Sequence, residues 1–230
     1  MKLLVLRKLH RWVALVVGLQ LLAWSASGVV FAWLDHHGVE GEGLATAAAP
    51  RTLAPGDIGI EPAALGLAPT PVAALALQSV NGQSVYRIET AQGVELRRAA
   101  DGAPYRIDEA VARDLATAAY RGDGRLTNVR FHDGPTVETR AAGATWQTQF
   151  DDAAGTSLYF SADDGALVAV RTDAWRLKDV FWMLHTMDYR GRDDFNHPLI
   201  VVAAVAALWV AGTGLWLLLR VFGRRRDVTS

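Results

Sequence analysis

The chain has 230 residues, is 51% hydrophobic, contains no cysteine and carries a formal net charge of −1. Without cysteine, neither a disulfide framework nor a thiolate-held metal is available. The near-neutral total hides a split, because residues 35–196 hold 23 Asp and Glu against 15 Lys and Arg. That net −8 leaves no basic surface for phosphates, which excludes nucleic acid as the partner.

Two apolar stretches, residues 12–34 and 197–220, each reach the roughly 20 residues that a helix needs to cross ~30 Å of hydrocarbon. Lys2, Arg7, Lys8 and Arg11 flank the first without any acid. Arg220, Arg224, Arg225 and Arg226 flank the second, with Asp227 against them. Positive flanks stay in the cytoplasm, so residues 1–11 and 221–230 are expected there, with the segment between the spans outside. The first stretch is too long for a signal-peptide core and no small-x-small site follows it, so it reads as an uncleaved anchor.

Residues 35–71 read as a linker, rich in Gly, Ala and Pro. Pro71 and residues 72–77 read as a short helix. From Ser84 the pattern alternates: Val85, Arg87 and Glu89 against Tyr86 and Ile88, then a Gly turn, then residues 94–97 and Asp101-Gly102. Residues 107–120 predict a helix capped by Asp108, with Val111, Leu115, Ala118 and Ala119 as its apolar stripe. Strands are predicted at 126–131, 144–150, 156–161 and 166–171, with Asp-Gly turns. The stretches YRIETAQGVELRRAADGAPYRI and WQTQFDDAAGTSLYFSADDGALVAV share one order of strand, Gly turn, strand and Asp-Gly turn, a degenerate repeat of about 60 residues. The expected α+β domain is residues 72–172, built from two related helix–strand units. Residues 173–196 predict an amphipathic interfacial helix and loop carrying Trp175 and Trp182, and Pro198 suits the first turn of the second span.

Three segments carry a family resemblance. KLHRWVALVVGLQLLAWSASGVVFAW resembles the first membrane helix of PepSY-associated transmembrane proteins. LHTMDYRGRDDFNHPLIVVAAVAALWVAGTGLWLLL is similar to the approach to a later one. LYFSADDGALVAV is similar to the end of a PepSY repeat. The resemblance implies a bacterial inner-membrane protein with a periplasmic α+β domain of PepSY-like repeats (helix plus antiparallel hairpin) between two transmembrane helices. Larger members resemble siderophore-linked ferric reductases with haem b between their helices, so the resemblance also implies haem, iron and electron transfer. This chain has two spans where those have four or more, so a homodimer or another inner-membrane subunit is the expected partner, besides the lipid bilayer.

Chemistry then falls to six histidines. A histidine near hydrocarbon is costly unless paired or liganded, and haem b iron accepts two imidazoles. His10, His37, His185 and His197 lie near the ends of the spans and are the candidate cofactor ligands. His10 is open to a second reading as part of the basic flank, and His37, with His36, as a solvated helix end. His132 reads as a turn residue. Met183, His185 and Met187 do not share a helix face, which sets copper aside. In the first span His10, Ala14, Val17, Leu21, Ser25, Gly28 and Ala32 share a face, and Gln20 is the polar residue that invites an interhelical partner. Ser25 and Ser27 are expected to bond back to their own helix. In the second, Ala203, Ala207 and Ala211 form a small-residue row. The outer domain shows no His-Glu-x-x-His, Gly-x-Ser-x-Gly, Walker or Gly-x-Gly-x-x-Gly motif, so any reaction depends on a bound cofactor. The expected function is a haem b electron-transfer component or accessory of iron and siderophore reduction and uptake. The alternative is a non-enzymatic periplasmic binding or regulatory module.

Overall fold

The computed structural model describes residues 2–47, 51–67, 71–140 and 142–226. It divides into two compact units, Met1–Leu34 with Leu177–Ser230, and Asp35–Arg176.

The first unit is a helical hairpin. Helix α1 spans Lys2–Trp33 and helix α5 spans Pro198–Arg226, and the two pack together. Candidate spans run Leu4–Trp33 and Pro198–Arg220. Most of their apolar side chains face outward; Val16 is 71% and Leu208 74% exposed. Water would penalise that surface heavily, whereas hydrocarbon accepts it, so the pair has the length and the surface of a membrane anchor. Basic residues 2–11 belong to α1 without a break, and α5 continues through Arg226, so both helices extend past the expected limits.

Packing selects a narrow seam. On α1 the less exposed positions include His10, Val13, Val17, Gln20, Trp24, Ser27 and Phe31, a three-then-four spacing, with Ala14, Ala23 and Val30 beside it. On α5 they include Ile200, Ala203, Ala207, Val210, Thr213 and Leu217. This alternation is the seam of helices crossing at a shallow angle. The expected face differs beyond Val17: Leu21, Ser25, Gly28 and Ala32 point outward, as does Ala211. Steps of four residues rotate steadily off a partner's axis, while alternating three and four stay on it.

The second unit is α+β. Strands β1 (Val72–Val80), β2 (Gln83–Thr90), β3 (Gly93–Arg98) and β4 (Pro104–Tyr105) form one antiparallel meander in the order β1-β2-β3-β4. Helix α3 (Glu109–Ala119) follows, its first turn closed by the Asp108 carboxylate, which accepts from Val111 N. Strands β5 (Leu126–His132), β6 (Thr145–Phe150), β7 (Ser157–Ser161) and β8 (Leu167–Arg171) form a second meander in the same order. Helix α4 (Asp173–Thr186) follows that sheet, and its residues from Leu177 onward belong to the first unit. The main core joins Val80, Val85 and Leu96 of the first sheet, Leu115 and Ala116 of α3, and Phe150, Leu158 and Phe160 of the second.

Two expectations are corrected. Residues 72–77 are strand, not helix, because Asn81 (φ 48°) and Gly82 (φ 75°) make a two-residue turn that returns the chain as β2, pairing Val80 with Gln83. Residues 35–71 are also more structured than a linker, over the described part. Asp35 caps helix α2 (His36–Glu40), Thr46 N bonds Ala119 O, and Gly59 N bonds Ala99 O. Leu65 is buried with Tyr86, Ile88 and Ala99. Single buried residues such as Val39 and Leu65 anchor these turns, and isolated anchors leave no periodicity to read. Expectations for residues 48–50, 68–70, 141 and 227–230 lie outside the described residues.

Candidate functional site

The helical unit contains two histidine–hydroxyl pairs. His10 on α1 places Nδ1 2.8 Å from Thr213 Oγ1 on α5. His185, near the end of α4, places Nδ1 2.8 Å from Ser27 Oγ on α1. Both hydroxyls already donate to their own helices: Thr213 to Trp209 O at 2.7 Å, Ser27 to Trp24 O at 2.9 Å. A hydroxyl has one proton and two lone pairs. With its proton on a carbonyl, each oxygen is left able to accept from the imidazole Nδ1–H. Among the described residues neither Nε2 makes a hydrogen bond.

The two sites are built differently. Three α1 residues hold His185: Ser27, which is fully buried, Trp24, whose indole donates to His185 O at 2.8 Å, and Phe31, whose ring meets the imidazole edge-on at 5.7 Å. His10 lies 6.2 Å from the Trp209 ring. A Cβ at Gly214 would come within 3.5 Å of His10 Cε1 and 3.8 Å of Nε2, so glycine leaves room there. Trp209 also lines an open apolar groove of about 490 Å³ with Leu9, Val13 and Val205. His10 and Ser27 are 17 residues apart on one helix, so the sites lie at levels ~25 Å apart. Between them Gln20 Nε2 is buried without a hydrogen-bond partner among the described residues.

The other predicted ligands lie elsewhere. His197 sits at the start of α5, where its Nδ1 accepts from Leu199 N at 3.4 Å. His37 belongs to the α+β unit and is exposed, its Nδ1 2.6 Å from Glu42 Oε2. That hydrogen bond and the Glu42 and Asp35 charges raise the His37 pKa. No hydrogen bond or ring contact joins any two of the four candidate histidines among the described residues. His132 lies in β5, not in a turn, with Nε2 3.0 Å from Gln147 Oε1. Ser27 and Thr213 were not among the predicted site residues. Their signal is position: Ser27 is a polar residue on the three-and-four stripe of α1 that carries His10, and Thr213 is a polar residue on the facing stripe of α5.

The loop from α4 to α5 turns around one carboxylate. Asp188 Oδ1 accepts from Arg190 N and Gly191 N, and Oδ2 from Asp193 N and Asp194 N, at 3.0–3.2 Å. Burial opposes its charge, but these four donors prevail and hold its pKa down to about 2. Arg192 pairs with the buried Asp179, and the Trp182 indole donates to Arg192 O. Trp182 packs between Phe31 and Phe195, inside the helical unit. Trp175 belongs to the other unit, stacked under the Arg171 guanidinium at 4.3 Å.

In the α+β unit Arg176 clamps Glu138 at 2.9 and 3.2 Å, and Tyr159 donates to the same carboxylate at 2.8 Å. Burial, then that carboxylate, raises the Tyr159 pKa. Every charge here is answered, as in a structural network. A cleft of about 350 Å³ lies between Ser79, Asn81, Leu115, Asp164 and Leu167. Among the described residues no three His, Asp or Glu side chains gather into a metal-binding group.

Comparison with protein-family models, with curated proteins and with solved structures finds no match. The likeness to PepSY-associated transmembrane proteins rests on the segments quoted above.

Proposed function

We propose that this is an inner-membrane protein of the PepSY-associated type, with both termini cytoplasmic, whose hairpin holds haem b as an electron-transfer component of iron or siderophore reduction. The supporting observation is the shared wiring of His10 and His185. Each ring is oriented through Nδ1 by a hydroxyl that also contacts a carbonyl of its own helix, and each leaves Nε2 without a hydrogen bond among the described residues. A metal-bound imidazole needs that arrangement, with the second nitrogen fixing tautomer and ring angle. The donor set fits haem iron, and the apolar groove beside Trp209 suits a macrocycle. Haem, when bound, supplies one-electron chemistry at its iron.

The chain's own residues set the limits. One protomer offers one imidazole at each level, so His10 and His185 do not serve one iron together. A second protomer or another membrane subunit supplies the other ligand at each level. Thr213 and Ser27 orient the rings, and Trp24 and Phe31 hold His185 in place. His37 and His197, at the periphery, are assigned no axial role in this reading.

A second reading, an anchored binding or regulatory module, draws on the cleft between Ser79 and Asp164. Absorption spectra of the detergent-purified protein, expressed with ample haem, separate the two. A Soret band with sharp reduced bands, diminished in both His10→Ala and His185→Ala, supports the haem reading. A colourless wild type, or variants that keep full haem content, overturns it in favour of the module.

A further inference from the structure

The two sheets have four outer edges, and three are protected. Strand β4 has two residues, too short to template a partner. Strand β5 carries Asn128, Arg130 and His132 and lies against α3. Strand β8 carries Arg171 and packs against α2, where Thr172 Oγ1 donates to Gly38 O. Short strands, charges, bulges and covering segments are the usual means by which proteins keep sheet edges from pairing.

Strand β1 is the exception. It is nine residues long, VAALALQSV, without a charge or a proline. It pairs on one side with β2, and no other described backbone group bonds to it. Val72, Ala73, Ala74, Leu75 and Ala76 are all exposed, so both faces of the first half meet solvent. Its one irregularity, between Val72 and Ala74, leaves the rest a regular ladder. An unpaired row of N–H and C=O groups with apolar side chains above and below accepts an extended strand.

We propose that the occupant is β1 of a second copy, the two strands pairing antiparallel about a two-fold axis to join two four-stranded meanders into one eight-stranded sheet. Charge fixes where two copies can meet. The segment between the spans carries a net −8, so two copies repel over most of their surface. The uncharged β1 strip is where they approach at least cost. An uncharged strand also offers nothing to select a charged foreign peptide, whereas it matches itself under a two-fold. Anchoring in one membrane raises the local concentration of the two copies. This inference does not depend on haem.

The absence of cysteine makes the test clean. Single cysteines are placed at each position from Val72 to Val80 in the full chain, with Val168→Cys on β8 as control, and native membranes are mildly oxidised. A two-fold axis sets one β1 residue opposite its own copy. Two residues away, the equivalent positions are already ~13 Å apart, at ~3.3 Å per residue. Disulfide dimer should therefore peak sharply at one position, fall at least several-fold two residues to either side, and be near background at Val168→Cys. Equal yields everywhere, or no dimer, overturn the proposal, as does a cross-linked product whose mass reveals a different protein. As a second test, the Ala74→Lys/Ala76→Lys double variant should become monomeric in mild detergent with its thermal transition retained. A folded double variant that stays dimeric overturns it too.

Discussion

Ser27 Oγ lies 2.8 Å from His185 Nδ1 while donating its proton to Trp24 O, so one hydroxyl both back-bonds its own helix and holds a second. The same double use recurs at Thr213 with His10. Interhelical polar contacts in membranes average ~0.6 kcal/mol and reach ~1.7. Ser27→Ala should therefore destabilise the hairpin by about 1 kcal/mol in reversible unfolding in bicelles. A double-mutant cycle with His185→Ala should show coupling of similar size. Coupling indistinguishable from zero would mean that the pair is merely adjacent.

The Asn81-Gly82 turn sets the register of β1 on β2. Gly82 has φ 75°, and a Cβ there would meet nothing within 4 Å, so the cost of a side chain is purely conformational. Gly82→Ala should lower the stability of the detergent-solubilised chain by about 1 kcal/mol in denaturant unfolding. An unchanged midpoint would show that the turn does not need the left-handed conformation.

That turn also shows how far the sequence was legible. Asn-Gly between apolar runs is a strong hairpin signal, yet residues 72–77 read as helix because Ala and Leu fill both faces of β1 and erase the alternation. Where the faces differ, as at Trp146 to Phe150, the strand was legible, and Asp108 identified the start of α3. In the hairpin, hydrocarbon and a neighbouring helix accept the same apolar side chains, so composition could not choose between Gln20 and Leu21. His10 and His185 were legible as candidates because imidazoles are rare near hydrocarbon. Ser27 was not, because back-bonding reads as a serine's complete role although it leaves the lone pairs free, and Thr213, one hydroxyl in an apolar span, carries no signal of its own.

Asp188 predicts a pH dependence. Its folded pKa of about 2 lies below the ordinary aspartate value of ~3.9. A depressed carboxylate contributes stability above its unfolded pKa and loses it as pH falls through the folded one. The loop from α4 to α5 should hold at full strength above about pH 5 and weaken between about pH 4 and 2. Asp188→Asn, whose single side-chain oxygen cannot accept from four amides on two sides, should be less stable than wild type at pH 7. Melting curves of the two should converge as pH falls to 2. A gap that stays constant over that range would mean that the four N–H contacts do not depend on ionisation.

The final prediction concerns orientation, on which the proposed function depends. Eight Lys and Arg flank the outer ends of α1 and α5, against one acid, while the segment between carries −8. Basic segments near span ends resist translocation, so both termini should stay in the cytoplasm and residues 35–196 should face the periplasm. An alkaline phosphatase fusion after Arg226 should be inactive, and the same enzyme inserted at Gly43, on an exposed turn, should be active. Replacing Arg7, Lys8 and Arg11 together by Gln should weaken this preference and yield a mixed population at the first fusion. An active fusion after Arg226 in the unmodified chain would invert the orientation. Ser27 and His185 would then lie toward the cytoplasm and His10 toward the outer face, and a periplasmic domain serving iron uptake would be untenable.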